Sequence, residues 1–204
     1  MTHPTLSMLD QAELFQLARN ASAADDSASA IAYLKEAVSR ADATAPAHYL
    51  LGAEYAQIGM YERAADEMES ALALDPALSI ARVQLGLLWL GQNAPDRADA
   101  VLAPLDELAA GDALRHIGAG LRHLIKDEFD DATARLEQGM ALNTTNAPLN
   151  GDMRRIVDEI ARGRAGGAPA NPSPAAPGAA AQAPAAAEDA PHILLSAYTG
   201  NTTH

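Results

Sequence analysis

Residues 47–76 read AHYLLGAEYAQIGMYERAADEMESALALDP, a stretch that divides into two amphipathic helices with Gly59 at the break. Leu51, Gly52 and Tyr55 share one face of the first helix, and Ala64, Met68 and Ala71 recur on one face of the second. The small residues permit close approach, and the larger ones fill the space around them. Asp75-Pro76 closes the second helix, because proline cannot continue the hydrogen-bond ladder and restrains the residue before it.

Translation by thirty-four residues carries Gly52 to Gly86 and Gly120, and Ala64 to Ala98 and Ala132. The same step backwards reaches Leu17-Ala18 for Leu51-Gly52, Ala30 for Ala64, Leu34 for Met68 and Ala37 for Ala71. Leu51-Gly52, Tyr55, Ala64, Ala71 and Pro76 together resemble the tetratricopeptide repeat pattern, with Met68 in place of its usual Phe and His48 in place of its Trp. That resemblance implies an all-α chain, a right-handed superhelix of antiparallel helix pairs.

The register gives four repeats, 11–44, 45–78, 79–112 and 113–146, after an N-terminal flank 1–10. Trp89 and His123 take the Tyr55 column, and Ala110 and Thr144 replace Pro76. Pro104 falls inside the expected second helix of the third repeat, where it should kink or end that helix. Residues 147–162 are expected to form a capping helix. Its apolar side carries Met153, Ile156, Val157 and Ile160, and Arg154, Arg155, Asp158, Glu159 and Arg162 lie elsewhere.

Composition narrows the function classes. Aromatics are 4% of the residues against 49% hydrophobic content, which suits helices packed through small and aliphatic side chains. A formal net charge of −13 repels phosphate backbones and anionic lipid, so neither a nucleic acid nor a membrane surface is an expected partner. The first ten residues lack a basic flank followed by an apolar core, and no stretch approaches bilayer-spanning length, so the expected location is cytoplasmic. The chain has no Cys, which excludes disulfides, thiolate nucleophiles and Cys-based zinc sites.

In proteins this chain resembles, the first helices of successive repeats line a concave surface that grips an extended peptide or a partner helix. The groove residues expected here are Tyr49, Val83, Leu87, Leu90, Ile117, Leu121, Leu124 and Ile125, aliphatic in repeats three and four. Leu85, Leu88 and Trp89 make the repeat-three helix apolar nearly all round, so it should be covered on every side. Arg19 is the only cation among the groove positions, which disfavours capture of acidic C-terminal carboxylates.

Residues 163–187 are rich in Ala, Pro and Gly and read as a disordered linker. Beyond it, 188–204 is EDAPHILLSAYTGNTTH, in which Ile193, Leu194, Leu195 and Tyr198 form a short apolar docking motif. The linker is long enough for that motif to reach the chain's own groove or a second subunit's.

Candidate catalytic and metal sites do not assemble. His116 and His123 share a helix face but are separated by about 10 Å of axial rise, too far to ligate one metal side by side. Asp127, Glu128, Asp130 and Asp131 fall at a turn and helix start, where carboxylates satisfy free amides, and the glycine and distant glutamate of a calcium loop are missing. No Gly-rich phosphate loop, exposed-serine elbow or paired-His zinc motif is present. Asn143-Thr144-Thr145 and Asn201-Thr202-Thr203 match glycosylation acceptors but carry no assigned role.

The expectation is therefore a scaffold without cofactors or catalysis, an adaptor or chaperone-like carrier that binds an apolar peptide or helix. Its tail would regulate or extend that binding. The alternative is a structural subunit that assembles by docking its tail in a neighbour's groove, and a narrower one is a secretion-system chaperone.

Overall fold

A computed structural model describes residues 6–165 of the chain, and these residues are all-α. Four helix pairs follow one another: α1 (Gln11–Ala23) with α2 (Ser27–Val38), α3 (Ala45–Gln57) with α4 (Tyr61–Leu74), α5 (Ser79–Gly91) with α6 (Pro95–Leu102), and α7 (Ala113–Ile125) with α8 (Phe129–Leu142). The first helices begin at Gln11, Ala45, Ser79 and Ala113, a constant step of thirty-four residues. Each second helix packs on the next first helix, so the pairs stack into a superhelix that α9 (Ala147–Ala165) completes.

The repeat has a steric cause. A Cβ at Gly52 would stand 2.9 Å from both the Ala64 carbonyl oxygen and Met68 Cγ. At Gly86 it would meet Leu102 at 2.7 Å, and at Gly120 it would meet Leu136 at the same distance. The last three pairs thus close by seating one large side chain of the second helix on a glycine of the first, while the first pair has Ala18 in that column.

The turn inside each pair repeats as well. Asp25, Gly59, Asn93 and Asp127 all have φ between 56 and 76°, and they occupy one register position. This left-handed conformation is tolerated by glycine and, among the rest, most readily by Asn and Asp. The acidic run after Lys126 is thereby partly explained, since Asp127 serves the turn. Asp10 caps α1 in a reciprocal box with Glu13, the carboxylate accepting from Glu13 N at 2.8 Å and the Glu13 carboxylate accepting from Asp10 N at 2.9 Å.

Pro104 ends the third pair's second helix, as its position predicts. The α-helix stops at Leu102 and continues as a 3-10 turn, Ala103–Glu107, in which Leu105 is buried. Arg122 of α7 clasps both sides of this break, donating from Nε to Asp99 at 2.8 Å and from Nη1 to Asp106.

Apolar burial forms three clusters, and α5 belongs to all of them. Leu85 and Trp89 join the cluster of the first two pairs, Val83 joins that of α7 and α9, and Ala81 joins Ala45, Tyr49 and Ala71. The expected cover on every side is incomplete: Ala81, Val83, Leu85 and Trp89 are buried, but Ile80, Leu87, Leu88 and Leu90 keep part of their surface open. In α9, Leu149, Met153 and Val157 enter the second cluster while Arg154, Arg155, Asp158, Glu159 and Arg162 face solvent.

Candidate functional site

The inner face of the array is built by the first helices, and it is more closed than its sequence suggests. Of the eight expected groove residues, Tyr49, Val83, Ile117 and Leu121 have no exposed surface. Val83, Ile117 and Leu121 belong to one apolar cluster with Leu102, Leu105 and Leu136 of the third and fourth pairs, which Leu149, Met153 and Val157 of α9 extend. Tyr49 lies between Ala45, Ala71 and Ala81. Leu87, Leu90, Leu124 and Ile125 keep part of their surface open. Leu87, Leu90 and Ile125 also support the cluster beneath them, whereas Leu124 belongs to none of the three. The tail motif Ile193, Leu194, Leu195 and Tyr198 and most of the 163–187 linker lie outside the described residues.

The other end of the inner face is polar, which the groove reading missed. Ser22 donates to the fully buried carboxylate of Glu54, and Ser27 donates to Gln57 Oε1 at 3.4 Å. Arg19 Nε, Glu54 Oε2 and Gln57 Nε2 are buried atoms without a hydrogen-bond partner among the described residues. The signal was in the register: Arg19, Ser22, Glu54 and Gln57 stand where the third pair has Leu87, Leu90, Leu88 and Gly91.

The outer face carries a groove of about 510 Å³ between α4, α5 and α6. Leu72, Leu85 and Trp89 supply its apolar floor, with Glu69, Arg82 and Arg97 around it. Arg97 stacks over the Trp89 ring at 3.5 Å and donates to Glu69 at 3.0 Å across the mouth. Arg82 directs its hydrogen bonds to the Pro76 carbonyl, leaving its charge without a carboxylate partner among the described residues.

A tetratricopeptide repeat profile matches residues 45–78. Among solved structures, the crystal structure of MamA is 22% identical, covering 68% of this chain and 81% of that one at a TM-score of 0.56. MamA residues 41-end from Desulfovibrio magneticus RS-1 is 16% identical, covering 81% and 94% at 0.54. YrrB, described as a TPR protein with an unusual peptide-binding site, is 20% identical, covering 76% and 78% at 0.56. No curated protein matches in sequence. The fold is the tetratricopeptide repeat fold.

Within the tetratricopeptide array the column that holds an aromatic residue changes character along the chain. Arg63 lies over Tyr55 at 5.8 Å and Arg97 over Trp89 at 3.5 Å, but the fourth repeat replaces this pair with His123 and Asp131. His123 Nδ1 lies 2.6 Å from Glu128 Oε2, and His123, Glu128 and Asp131 bring one ligand atom each within 4.8 Å of the others at this largely exposed corner. These three are the residues that could hold a cation there. His116 is a packing residue, its Nε2 at 2.8 Å from the Ala110 carbonyl oxygen.

Other register substitutions also find structural roles. His48, in the position of the family's Trp, pairs through Nδ1 with Glu67 at 2.7 Å. Asn143 donates to the Asn146 carbonyl at 2.9 Å and to Asn150 Oδ1 at 2.8 Å, binding the end of α8 to the start of α9. No helix among the described residues is long and apolar enough to cross a membrane.

Proposed function

We propose that this tetratricopeptide array is a non-catalytic protein-interaction module whose inner face takes an apolar peptide or helix across Leu87, Leu90, Leu124 and Ile125. The observation that carries this reading is the partial exposure of Leu87, Leu90, Leu124 and Ile125 on the first helices of the third and fourth repeats, where Val83, Ile117 and Leu121 are buried. Tyr49, Val83, Ile117 and Leu121 act beneath them, holding the surface in shape. YrrB's peptide-binding site supports the class of activity.

Residues 188–204 serve this module as a second recognition element that regulates or extends binding. A cytoplasmic location belongs to the same proposal. The acidic charge of −13 argues for protein partners over nucleic acid.

The test is affinity capture from native lysate with the full chain beside a Leu87→Asp, Leu124→Asp variant, both checked for helicity. Loss of specific partners from the variant is expected. An identical set of partners from both would remove the inner face from the mechanism. A full chain whose mass rises with concentration, and falls when Leu194 is replaced by Asp, would favour the assembly-subunit reading instead.

A further inference from the structure

The chain continues for thirty-nine residues past Ala165, and the outer groove matches the last seventeen of them in chemistry. We propose that residues 188–204 seat in the α4–α5–α6 groove of the same molecule. Ile193, Leu194 and Leu195 lie on the floor of Leu72, Leu85 and Trp89, and the Glu188-Asp189 carboxylates face Arg82 and Arg97. The proposal rests on the reading of 188–204 as a recognition element and adds where that element docks.

Charge is the first argument. On a chain of net charge −13, this groove sets two guanidinium groups against a single carboxylate. The Arg97–Glu69 pair spans its mouth with both side chains at least half exposed, so it is weak and readily exchanged for a carboxylate of the tail. The tail has the matching order, Glu188-Asp189 followed by the apolar run beginning at Ile193.

Register supplies the second argument, because the equivalent place one repeat later is unsuitable. A step of thirty-four residues puts Asp106, Glu107 and Asp131 where Leu72, Ala73 and Arg97 stand. Asp106 is taken by Arg122, and Glu107 and Asp131 remain there to repel the acidic lead of the tail. One repeat earlier, the Arg82 position is His48, already paired with Glu67.

Reach is the third. Arg164, at the end of α9, bonds Asp130 at 2.6 Å beside the start of α8. From α9 the path to α6 passes through α8 and α7, three packing steps of about 8–10 Å each. Twenty-two residues separate Ala165 from Glu188, enough to extend up to about 70 Å. Tethering then gives an effective concentration in the millimolar range, so a weak motif fills the groove.

The chain's single tryptophan, Trp89, lies in this groove and reports on it. The probe is a fluorescent synthetic peptide of residues 188–204, titrated against the full chain carrying Leu194→Asp and Leu195→Asp, whose own tail is silenced. The peptide should bind this variant, and at least about tenfold more weakly the unaltered chain, whose tethered tail competes. Acrylamide quenching of Trp89, which is 6% exposed beneath Arg97, should differ between the two chains, because a tail carboxylate bound to Arg97 changes the cover over that ring. Adding Arg97→Glu, or Ala100→Glu at an exposed lining position, should weaken the peptide about tenfold by placing like charge in its path. Leu124→Asp should leave it unchanged.

Binding abolished by Leu124→Asp but kept with Arg97→Glu and Ala100→Glu would overturn the outer groove while preserving tail recognition by the inner face. A dimer of the unaltered chain that dissociates on Leu194→Asp would overturn docking within one molecule. No peptide binding, with Trp89 quenching the same in both chains, would overturn this proposal and the underlying reading of the tail together.

Discussion

Ser22 on α1 donates its hydroxyl hydrogen to Oε1 of Glu54 on α3, and the two residues are 2% and 0% exposed. This bond joins the first helices of two successive pairs, while Glu54 Oε2 has no partner among the described residues. Removing the hydroxyl leaves a buried carboxylate worse satisfied, so Ser22→Ala is expected to cost about 1–3 kcal/mol in urea unfolding. The register supplies a remedy, because Leu88 occupies the Glu54 position one repeat later. Combining Ser22→Ala with Glu54→Leu should recover most of that loss, since replacing both partners of a buried hydrogen bond by apolar groups is commonly near neutral or stabilising. A double variant less stable than Ser22→Ala alone would show that the carboxylate holds α1 to α3.

Gly52→Ala should destabilise by about 1–3 kcal/mol, because the added methyl meets the Ala64 backbone oxygen and moving it separates α3 from α4. Gly151 provides the contrast. It lies inside α9, and a methyl added there would have no neighbour within 4 Å, so Gly151→Ala should stabilise by about 0.5–1 kcal/mol. Thermal melts of the two variants with opposite displacements would bear this out. Equal effects would mean that packing at Gly52 yields without cost.

The left-handed turns make another pair of opposite expectations. Gly59→Ala meets no neighbour but must hold φ near +76°, and should lose about 1 kcal/mol. Asp127→Gly relieves the same strain at φ +59° and should gain a few tenths. Denaturant midpoints measure both; an unchanged midpoint for Gly59→Ala would place that turn outside the cooperative unit.

Burial raises the Asp152 carboxyl above its ordinary value, against the opposing pull of Arg155. The folded chain therefore binds this proton more tightly than the unfolded one. The resulting contribution to stability falls as pH rises from the usual carboxylate value through the raised one, and the deficit persists at neutral pH. Asp152→Asn should be more stable than the parent at neutral pH, with a flatter dependence through the acid range. Lower stability at neutral pH would show that the Arg155 pair outweighs the burial.

Much of the fold was readable from Gly52, Gly86 and Gly120, because a repeated steric requirement leaves a repeated residue. Pro104 was equally legible, since its chemistry acts on its own backbone. The inner face was less so. Periodicity assigns Val83, Ile117 and Leu121 to a side of their helices, but their cover comes from the packing of α5 on α6 and α7 and of α7 on α8, a property of the stack as a whole. The outer groove escaped notice because Arg82, Trp89 and Arg97 meet across a helix and its neighbour without forming a contiguous motif.

The membership of α5 in three apolar clusters bears on how the array comes apart. Solenoids with independent units lose their ends first and shorten by stages. Here α5 packs on α4 on one side and on α6 and α7 on the other, so parting the array on either side strips a surface from the same central helix. Amide hydrogens of α5 should exchange last, and together, through the global transition rather than by fraying.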